Sequence, residues 1–275
     1  MYFAMMDPPP CGDQPTSGRV FAVRAKTGRT VWTVHAGVME SSPLVVGRTV
    51  YVGSWDGRLY ALDASSGRLR WSFKTGGRVK GGAAYAGGTV FVGSYDGRVY
   101  ALAASSGKLR WVADVGTPVY ATPAVAKQSV IVGTLGGTVY ALDALTGHTE
   151  WIRPTGSYVY SSPAIWHGTA YVGSYDRHLY ALDLSSGAVR WSFDAGAPVS
   201  GTPTVVNGVV YFSRCLGCIA GVALHLQRRT FGLDAQSGRR VWTFPDGEYT
   251  PLVADRQRAY LVGHTHIYGL GAHGG

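Results

Sequence analysis

The chain has 275 residues, a formal net charge of +9 and a hydrophobic content of 46 %. The hydrophobic share is large enough for a core and excludes a disordered chain, while the charged share of 15 % and the lack of a long apolar run exclude a coiled coil and a membrane-spanning helix. The length suits one large all-β domain. Arginines are scattered in ones and twos, so nucleic-acid binding is not favoured. The first ten residues lack a basic start and a long apolar stretch, so no secretory signal is predicted.

One eleven-residue pattern recurs along the chain. It reads ALDASSGRLRW at its clearest. Copies lie at 61–71, 101–111, 141–151 and 181–191, with looser copies at 22–32 and 232–242. The tryptophans that end these copies are Trp32, Trp71, Trp111, Trp151, Trp191 and Trp242, at spacings of 39, 40, 40, 40 and 51 residues. Six copies indicate a repeat protein.

Each repeat reads as four short strands without a helix. Residues 49–64 hold two runs rich in Val, Tyr and Leu on either side of Asp56-Gly57, a dipeptide that suits a tight hairpin turn. A Ser-Ser-Gly or Thr-Gly turn precedes the strand that carries the tryptophan. A four-stranded sheet of this size buries too little alone, and radial stacking as a β-propeller leaves only short edges. The tryptophans are then expected to wedge between adjacent sheets.

We therefore predict an all-β fold: a single β-propeller domain at 19–272, built of four-stranded antiparallel blades, after an irregular segment at 1–18. Complete repeats are expected at about 38–77, 78–116, 117–156, 157–196 and 197–246, with an insertion at 214–229. Residues 19–34 supply the last two strands of a repeat, with MYFAM as a candidate degraded strand before them, and 249–270 supply the first three of another. Both ends contain the same type of strand, which favours seven blades with an incomplete first and last; six blades are the alternative.

The pattern A-L-D-x-x-[ST]-G-x-x-x-W resembles the tryptophan-docking repeat of the PQQ-like β-propellers. This family includes quinoprotein alcohol dehydrogenases, the outer-membrane assembly lipoprotein of Gram-negative bacteria, and secreted or kinase-linked bacterial propellers without catalytic activity. The resemblance covers 19–272 and implies an extracytoplasmic, cell-envelope location. The motif is specific for this type of propeller and not for any activity.

One position changes from repeat to repeat while its surroundings stay the same. It lies three residues before the residue, usually proline, that opens each innermost strand, and it holds Glu40, Lys80, Tyr120, Tyr160, Ser200 and Glu248. The innermost strand starts at one mouth of the central channel, so these side chains are predicted to ring that mouth. The hairpin turns should open on the same face with Trp55, Tyr95, Leu135 and Tyr175. Such a polar and aromatic funnel suits a ligand or an extended peptide; the alternative is that unconstrained loop positions drift.

The insertion contains the motif Cys215-x-x-Cys218. It is a weak candidate for half of a zinc site, with His225 and a fourth ligand from Cys11 or His264, or for a redox dithiol. An apolar loop with two cysteines is the alternative that we favour. The spacing of the apolar residues predicts a short helix here, through Ile219, Val222, Ala223 and Leu226.

Two classes of function compete. The favoured one is a non-catalytic scaffold without a cofactor, a monomer that binds a protein or peptide partner, or a small ligand, at the channel mouth. The other is a PQQ-dependent dehydrogenase-like quinoprotein or a fragment of one, for which the resemblance implies PQQ, calcium on acidic ligands, adjacent cysteines and a catalytic aspartate. This sequence has no adjacent cysteines, and Lys, Tyr and Ser stand where acidic ligands are needed. No catalytic residue is assigned, and Asp63, Asp143, Asp183 and Asp234 are interpreted as turn caps.

Overall fold

The computed structural model describes residues 1–7, 15, 17–218, 227–247, 253–254, 258–263 and 265–271. Within these ranges all regular secondary structure is β-strand, and neighbouring strands pair antiparallel. The described residues contain no helix with the length and apolar character needed to span a membrane. Contacts between Cα atoms divide the chain into two compact units, residues 1–134 with 142–149 and residues 135–141 with 150–275. The single domain at 19–272 stays a prediction.

The described residues form seven sheets, whose strands follow one another in chain order. The first sheet has three strands: β1 (Tyr2–Met6), β2 (Gly18–Val23) and β3 (Thr30–Ala36). Two four-stranded sheets follow: β4 (Leu44–Val46), β5 (Thr49–Gly53), β6 (Arg58–Asp63) and β7 (Leu69–Lys74), then β8 (Ala84–Ala86), β9 (Thr89–Gly93), β10 (Arg98–Ala103) and β11 (Leu109–Asp114).

Three more four-stranded sheets and a last sheet of three strands complete the set. They are β12 (Ala124–Ala126), β13 (Ser129–Gly133), β14 (Thr138–Asp143) and β15 (Thr149–Pro154); β16 (Ala164–Trp166), β17 (Thr169–Gly173), β18 (His178–Asp183) and β19 (Val189–Asp194); β20 (Thr204–Val206), β21 (Val209–Ser213), β22 (Thr230–Asp234) and β23 (Arg240–Phe244); and β24 (Val253–Ala254), β25 (Arg258–Val262) and β26 (Ile267–Gly271). Five complete sheets between two incomplete ones agree with the predicted seven blades.

The N-terminal segment differs from the prediction that residues 1–18 are irregular, because Tyr2–Met6 forms β1 and pairs with β2. The Tyr2 hydroxyl donates to the Ala64 carbonyl at 3.0 Å, and its ring lies 5.8 Å from Trp32. Tyr51 on β5 makes the same pair of contacts one repeat later. Residues 2–6 therefore form the second strand of their repeat, and Tyr2 keeps the role that Tyr51 has in the next repeat. The alternative interpretation, a degraded strand, describes this segment correctly.

Among the described residues, five of the six repeat tryptophans join their sheet to the next repeat at a turn that contains a glycine. Trp71 Nε1 donates to the Ala104 carbonyl at 3.0 Å, and a Cβ on Gly107, whose φ is +70°, would lie 2.6 Å from the indole. The same geometry joins Trp32 to Ala64 and Gly67, Trp111 to Ala144 and Gly147, Trp151 to Leu184 and Gly187, and Trp191 to Ala235 and Gly238. The described ring contacts of Trp242 are with Tyr211 and Phe244. Two features therefore require glycine in this turn: the backbone has a positive φ, and the indole fills the space that a Cβ would occupy.

Candidate functional site

In four of the sheets, a backbone hydrogen bond joins the loop before the first strand to the segment that follows the second strand. Trp55 N donates to Val38 O at 2.9 Å. Equivalent bonds join Tyr95 to Arg78, Tyr175 to Tyr158 and Cys215 to Pro198. The variable position lies two residues after each acceptor, so in these four sheets it lies at the same end as the turn after the second strand. Because first strands of neighbouring sheets also lie close together within each unit, β8 beside β12 and β16 beside β20, side chains of successive loops can meet.

In the first unit, four loop side chains surround the ammonium group of Lys80. The Glu40 carboxylate accepts a hydrogen bond from Trp55 Nε1 at 2.9 Å and one from the Tyr120 hydroxyl at 2.7 Å. The Lys80 ammonium lies 3.5 Å from Glu40 Oε2. It also lies 4.0, 5.2 and 5.8 Å from the ring centroids of Trp55, Tyr95 and Tyr120. We call Glu40, Trp55, Tyr95 and Tyr120 the cage.

The cage is partly shielded from solvent. The side chain of Lys80 is 15 % exposed and that of Glu40 is 26 % exposed. Arg78 adds a second cation at Trp55, with its guanidinium carbon 4.9 Å from the ring centroid. Aromatic faces attract cations more strongly when the cation loses part of its water. The cage therefore has the composition and the burial of a cation-binding site.

In the second unit, the loop residues form a tyrosine cluster, defined as Tyr158, Tyr160 and Tyr175. Their ring centroids are 4.9 Å apart for Tyr160 and Tyr175, 6.1 Å for Tyr158 and Tyr175, and 6.3 Å for Tyr158 and Tyr160. The Tyr158 side chain is 53 % exposed. Such a group offers ring faces and hydroxyls to a partner at low cost in side-chain entropy.

The cysteines of the insertion belong to the same end of the second unit. Cys215 and Cys218 are joined by a disulfide. Neither cysteine therefore offers the thiolate that zinc would need. A disulfide is the oxidised form of a redox dithiol, so the redox interpretation stays a prediction. Cys218 Sγ lies 3.3 Å from the Tyr175 hydroxyl and 3.6 Å from Ser200 Oγ. Because a disulfide sulfur carries no proton, both hydroxyls act as donors. The part of the chain that the structure describes holds no group of three or more metal-ligating side chains.

The structure therefore brings the predicted mouth residues together in two sets. Glu40, Lys80, Tyr120, Trp55 and Tyr95 meet in the first unit, and Tyr160, Tyr175 and Ser200 in the second. Leu135 lies in the turn between β13 and β14 and is half-buried. Glu248, His225, Cys11, His264 and the helix expected from Ile219 to Leu226 lie outside the described residues. A single ring of six residues stays a prediction.

Sequence reasoning missed Arg78 and Tyr158, which lie two residues before the variable position. A signal for them exists, because this earlier position also changes between repeats. It holds Val38, Arg78, Pro118, Tyr158 and Pro198. In the structure, Arg78 lies over the Trp55 ring, and Tyr158 contacts the rings of Tyr160 and Tyr175.

The acidic residues near the loops do not fit a calcium and quinone site. Both oxygens of Glu40 accept hydrogen bonds, and an ammonium group pairs with one of them. Asp56 accepts from the Tyr60 hydroxyl, and burial together with this carboxylate raises the pKa of Tyr60 to about 12. Asp96 and Asp176 hold Tyr100 and Tyr180 and a backbone N–H in the same way. These carboxylates stabilise the hairpin turns, and calcium would have to displace the tyrosine hydroxyls and backbone N–H groups that donate to them.

Consecutive antiparallel sheets, five of them docked on the following repeat by a tryptophan and a turn glycine, define a tryptophan-docked β-propeller whose loops carry aromatic side chains. The family model described as outer membrane protein assembly factor BamB matches residues 16–81, 74–164 and 155–274. The chain belongs to this family, and the predicted PQQ-like propeller repeat is confirmed. No curated protein is a significant match to the chain.

Solved structures agree on the fold. BamB from Moraxella catarrhalis is 20 % identical, with a TM-score of 0.74 over 94 % of this chain and 80 % of that one. The computationally designed protein Ika8 is 15 % identical, with a TM-score of 0.77 over 93 % and 78 %. The quinohemoprotein alcohol dehydrogenase ADHIIG from Pseudomonas putida HK5 is 18 % identical, with a TM-score of 0.63 over 81 % and 47 %. At these identities the likeness confirms the all-β propeller fold, which an assembly factor, a designed protein and an enzyme share.

Proposed function

We propose that the protein is a non-catalytic scaffold of the cell envelope that binds a protein or peptide partner on its loop face, without a cofactor. The observation that supports this is the clustering of partly exposed aromatic side chains at positions that vary within a constant backbone. The family description, an outer membrane protein assembly factor, is consistent with a protein partner. Tyrosine and tryptophan are the side chains most often found at the energetic centres of such interfaces.

Each of the two clusters offers its own chemistry to a partner. The tyrosine cluster presents ring faces and hydroxyls, while the cage presents the Glu40 carboxylate together with the Lys80 ammonium group. Their supporting hydrogen bonds join backbone atoms of loops and hairpins, so the side chains are positioned before a partner arrives. Pre-positioned side chains lose less entropy on binding, which favours affinity.

The test is capture of outer-membrane proteins from an envelope extract, followed by affinity measurement with the purified captured protein. The double variant Tyr120→Ala with Tyr160→Ala should weaken binding at least about tenfold, because each removes an aromatic contact of the kind that dominates interfaces. Its thermal stability should stay close to that of the parent protein. Tyr85→Ala is the matched control, since Tyr85 is a 41 % exposed tyrosine on β8 outside both clusters. Equal affinity for the double variant and the parent protein would overturn the proposal.

The absence of catalysis has its own test. Titration of the protein with PQQ and calcium should change neither the quinone absorption spectrum nor the rate of dye-linked alcohol oxidation. The reason is that Glu40 is already engaged by three donors. Oxidation of alcohol in this assay would show that the protein is an enzyme and would reject a purely scaffolding role.

A further inference from the structure

The walls of the cage are held in place without Lys80. Trp55 and Tyr120 each donate a hydrogen bond to Glu40, one to each carboxylate oxygen. Tyr95 packs edge-on against Tyr120, with ring centroids 6.4 Å apart. Removal of the lysine side chain would therefore leave three ring faces and a carboxylate in their present arrangement. That is the composition of a pre-organised receptor for a cation.

The contact between Lys80 and Glu40 indicates which cation suits the cage. The ammonium nitrogen lies 3.5 Å from Glu40 Oε2, whereas a short charge-assisted hydrogen bond would be about 2.7–2.9 Å. The carboxylate therefore acts mainly through its charge, and the rings act through their faces. An ammonium group that carries alkyl substituents instead of N–H groups would lose little hydrogen-bond energy in the cage. Its removal from water would also cost less free energy.

The backbone of the loop does not depend on Lys80 either. A Cβ on the next residue, Gly81, would lie 2.4 Å from the Tyr120 carbonyl oxygen. This close approach of two backbones fixes the loop whatever side chain precedes the glycine. The equivalent positions in other repeats hold glutamate, tyrosine and serine. The long, flexible lysine side chain can thus leave the cage without a change of fold.

We propose that Glu40, Trp55, Tyr95 and Tyr120 form a binding site for a small alkylated ammonium compound, and that Lys80 is its resident occupant. The ligand enters as the lysine ammonium moves into solvent, so the cage holds one positive and one negative charge before and after the exchange. Lys80 competes with the ligand and lowers its apparent affinity. The cage also belongs to the proposed partner-binding surface, but this proposal does not depend on a partner, because the ligand is a small molecule.

The experiment is a calorimetric titration with choline of the parent protein and of Lys80→Ala. The variant should bind choline at least about tenfold more tightly, because an occupant that fills the site most of the time lowers apparent affinity by the fraction of empty sites. The uncharged isostere 3,3-dimethylbutan-1-ol should not bind, since it has the same shape without the charge. Lys80→Ser, which copies the serine at the equivalent position 200, provides a second variant if the alanine protein does not fold.

Two further variants locate the effect. Trp55→Ala added to Lys80→Ala should abolish choline binding, because it removes the ring closest to the cation. Arg78→Ala is the matched control: it also removes a cation from Trp55, but an exposed one outside the cage. It should not tighten binding. Equal affinity of the parent protein and both Lys80 variants, no binding by either variant, or equal binding of the isostere would overturn the proposal. Partner capture is measured separately, so each result stands alone.

Discussion

The docking tryptophans (the tryptophan layer: Trp32, Trp71, Trp111, Trp151 and Trp191) and the loops that carry the cage and the tyrosine cluster (the loop face) belong to the same repeats. The side chains of the first set are constant between repeats, whereas those of the second set vary. Five indoles donate to a backbone carbonyl of the following repeat at 3.0 or 3.1 Å, each over a turn glycine. At the loops, the backbone hydrogen bonds are equally regular, but the side chains that they carry differ from repeat to repeat. Stability is therefore expected to reside in the repeated contacts and recognition in the variable ones, and the two should respond separately to mutation.

The largest expected effect distinguishes a tryptophan that docks one repeat on the next from a tryptophan in a loop. Trp111→Ala should lower the free energy of unfolding by about 3–5 kcal/mol, since it opens a cavity between sheets and leaves the Ala144 carbonyl without its indole donor. Trp55→Ala, in the half-buried loop cage, should cost about 1 kcal/mol. Urea unfolding followed by circular dichroism measures both. Similar losses for the two variants would remove the distinction between layer and loop face.

A smaller effect is expected at the glycines beneath the indoles. Gly107→Ala should cost about 2–4 kcal/mol, because the new Cβ adds a clash with Trp71 to the penalty of a positive φ. Gly28→Ala is the matched control. Gly28 occupies the same turn at a φ of +67°, but a Cβ there would meet nothing within 4 Å. It should therefore cost only the backbone penalty, about 1–2 kcal/mol. Thermal and urea unfolding of both variants check the difference, which would vanish if the indole did not press on the turn.

The regular part of the molecule could be predicted from the sequence and the irregular part could not. The sheets and their order could be predicted because the signals for them are local. The repeat spacing gives the length of each sheet, and the turn glycines and hairpin dipeptides mark where the strands end. The position of Lys80 on the loop face followed too, but its pairing with Glu40 did not. Such a pairing depends on which rotamers reach across neighbouring loops, and no spacing in the sequence encodes that.

Weakened signals account for the other differences. β1 keeps one tyrosine of the repeat pattern, Tyr2, beside methionines with poor alternation, so the sequence supports MYFAM only as a candidate strand within the segment predicted as irregular. The spacing of Cys215 and Cys218 suits zinc, a dithiol and a disulfide equally well. Only the closeness of the two residues in the fold selects the disulfide.

A hydroxyl tests how much a single repeated hydrogen bond contributes. Tyr51→Phe should lower the free energy of unfolding by about 0.5–1.5 kcal/mol, because the bond to the Ala104 carbonyl is lost while Trp71 still donates to that carbonyl. The next repeat already has phenylalanine at the equivalent position, where Phe91 packs on Trp111 with a centroid distance of 5.7 Å. Tyr85→Phe on exposed β8 is the control and should have no effect in the same unfolding measurement. A loss as large as that of a buried aromatic ring would mean that the hydroxyl has a further role.

The smallest effect concerns the turn carboxylates and depends on pH. Hydrogen bonds from Ser65 and Arg70 hold the pKa of Asp63 well below its usual range. A group whose pKa is lowered by folding stabilises the protein above its unfolded value, about 4, and this contribution is lost as the pH falls towards the folded value. Asp63→Ala should therefore be less stable than the parent protein at pH 7, with a gap that narrows as the pH is lowered from about 4 towards 2.

The repeat that lacks this carboxylate supplies the reciprocal change. Ala103 occupies the position of Asp63 and is followed by the same serines and arginine. Ala103→Asp should stabilise the protein at pH 7 and lose that gain in acid, whereas Ala103→Asn should stabilise less and without a pH dependence. Because the charged side chains are exposed, the gain from Ala103→Asp should also shrink in high salt, whereas the gain from the neutral Ala103→Asn should not. A gap between Asp63→Ala and the parent protein that is equal at pH 7 and pH 2 would show that the aspartate acts through its turn geometry and not through its charge.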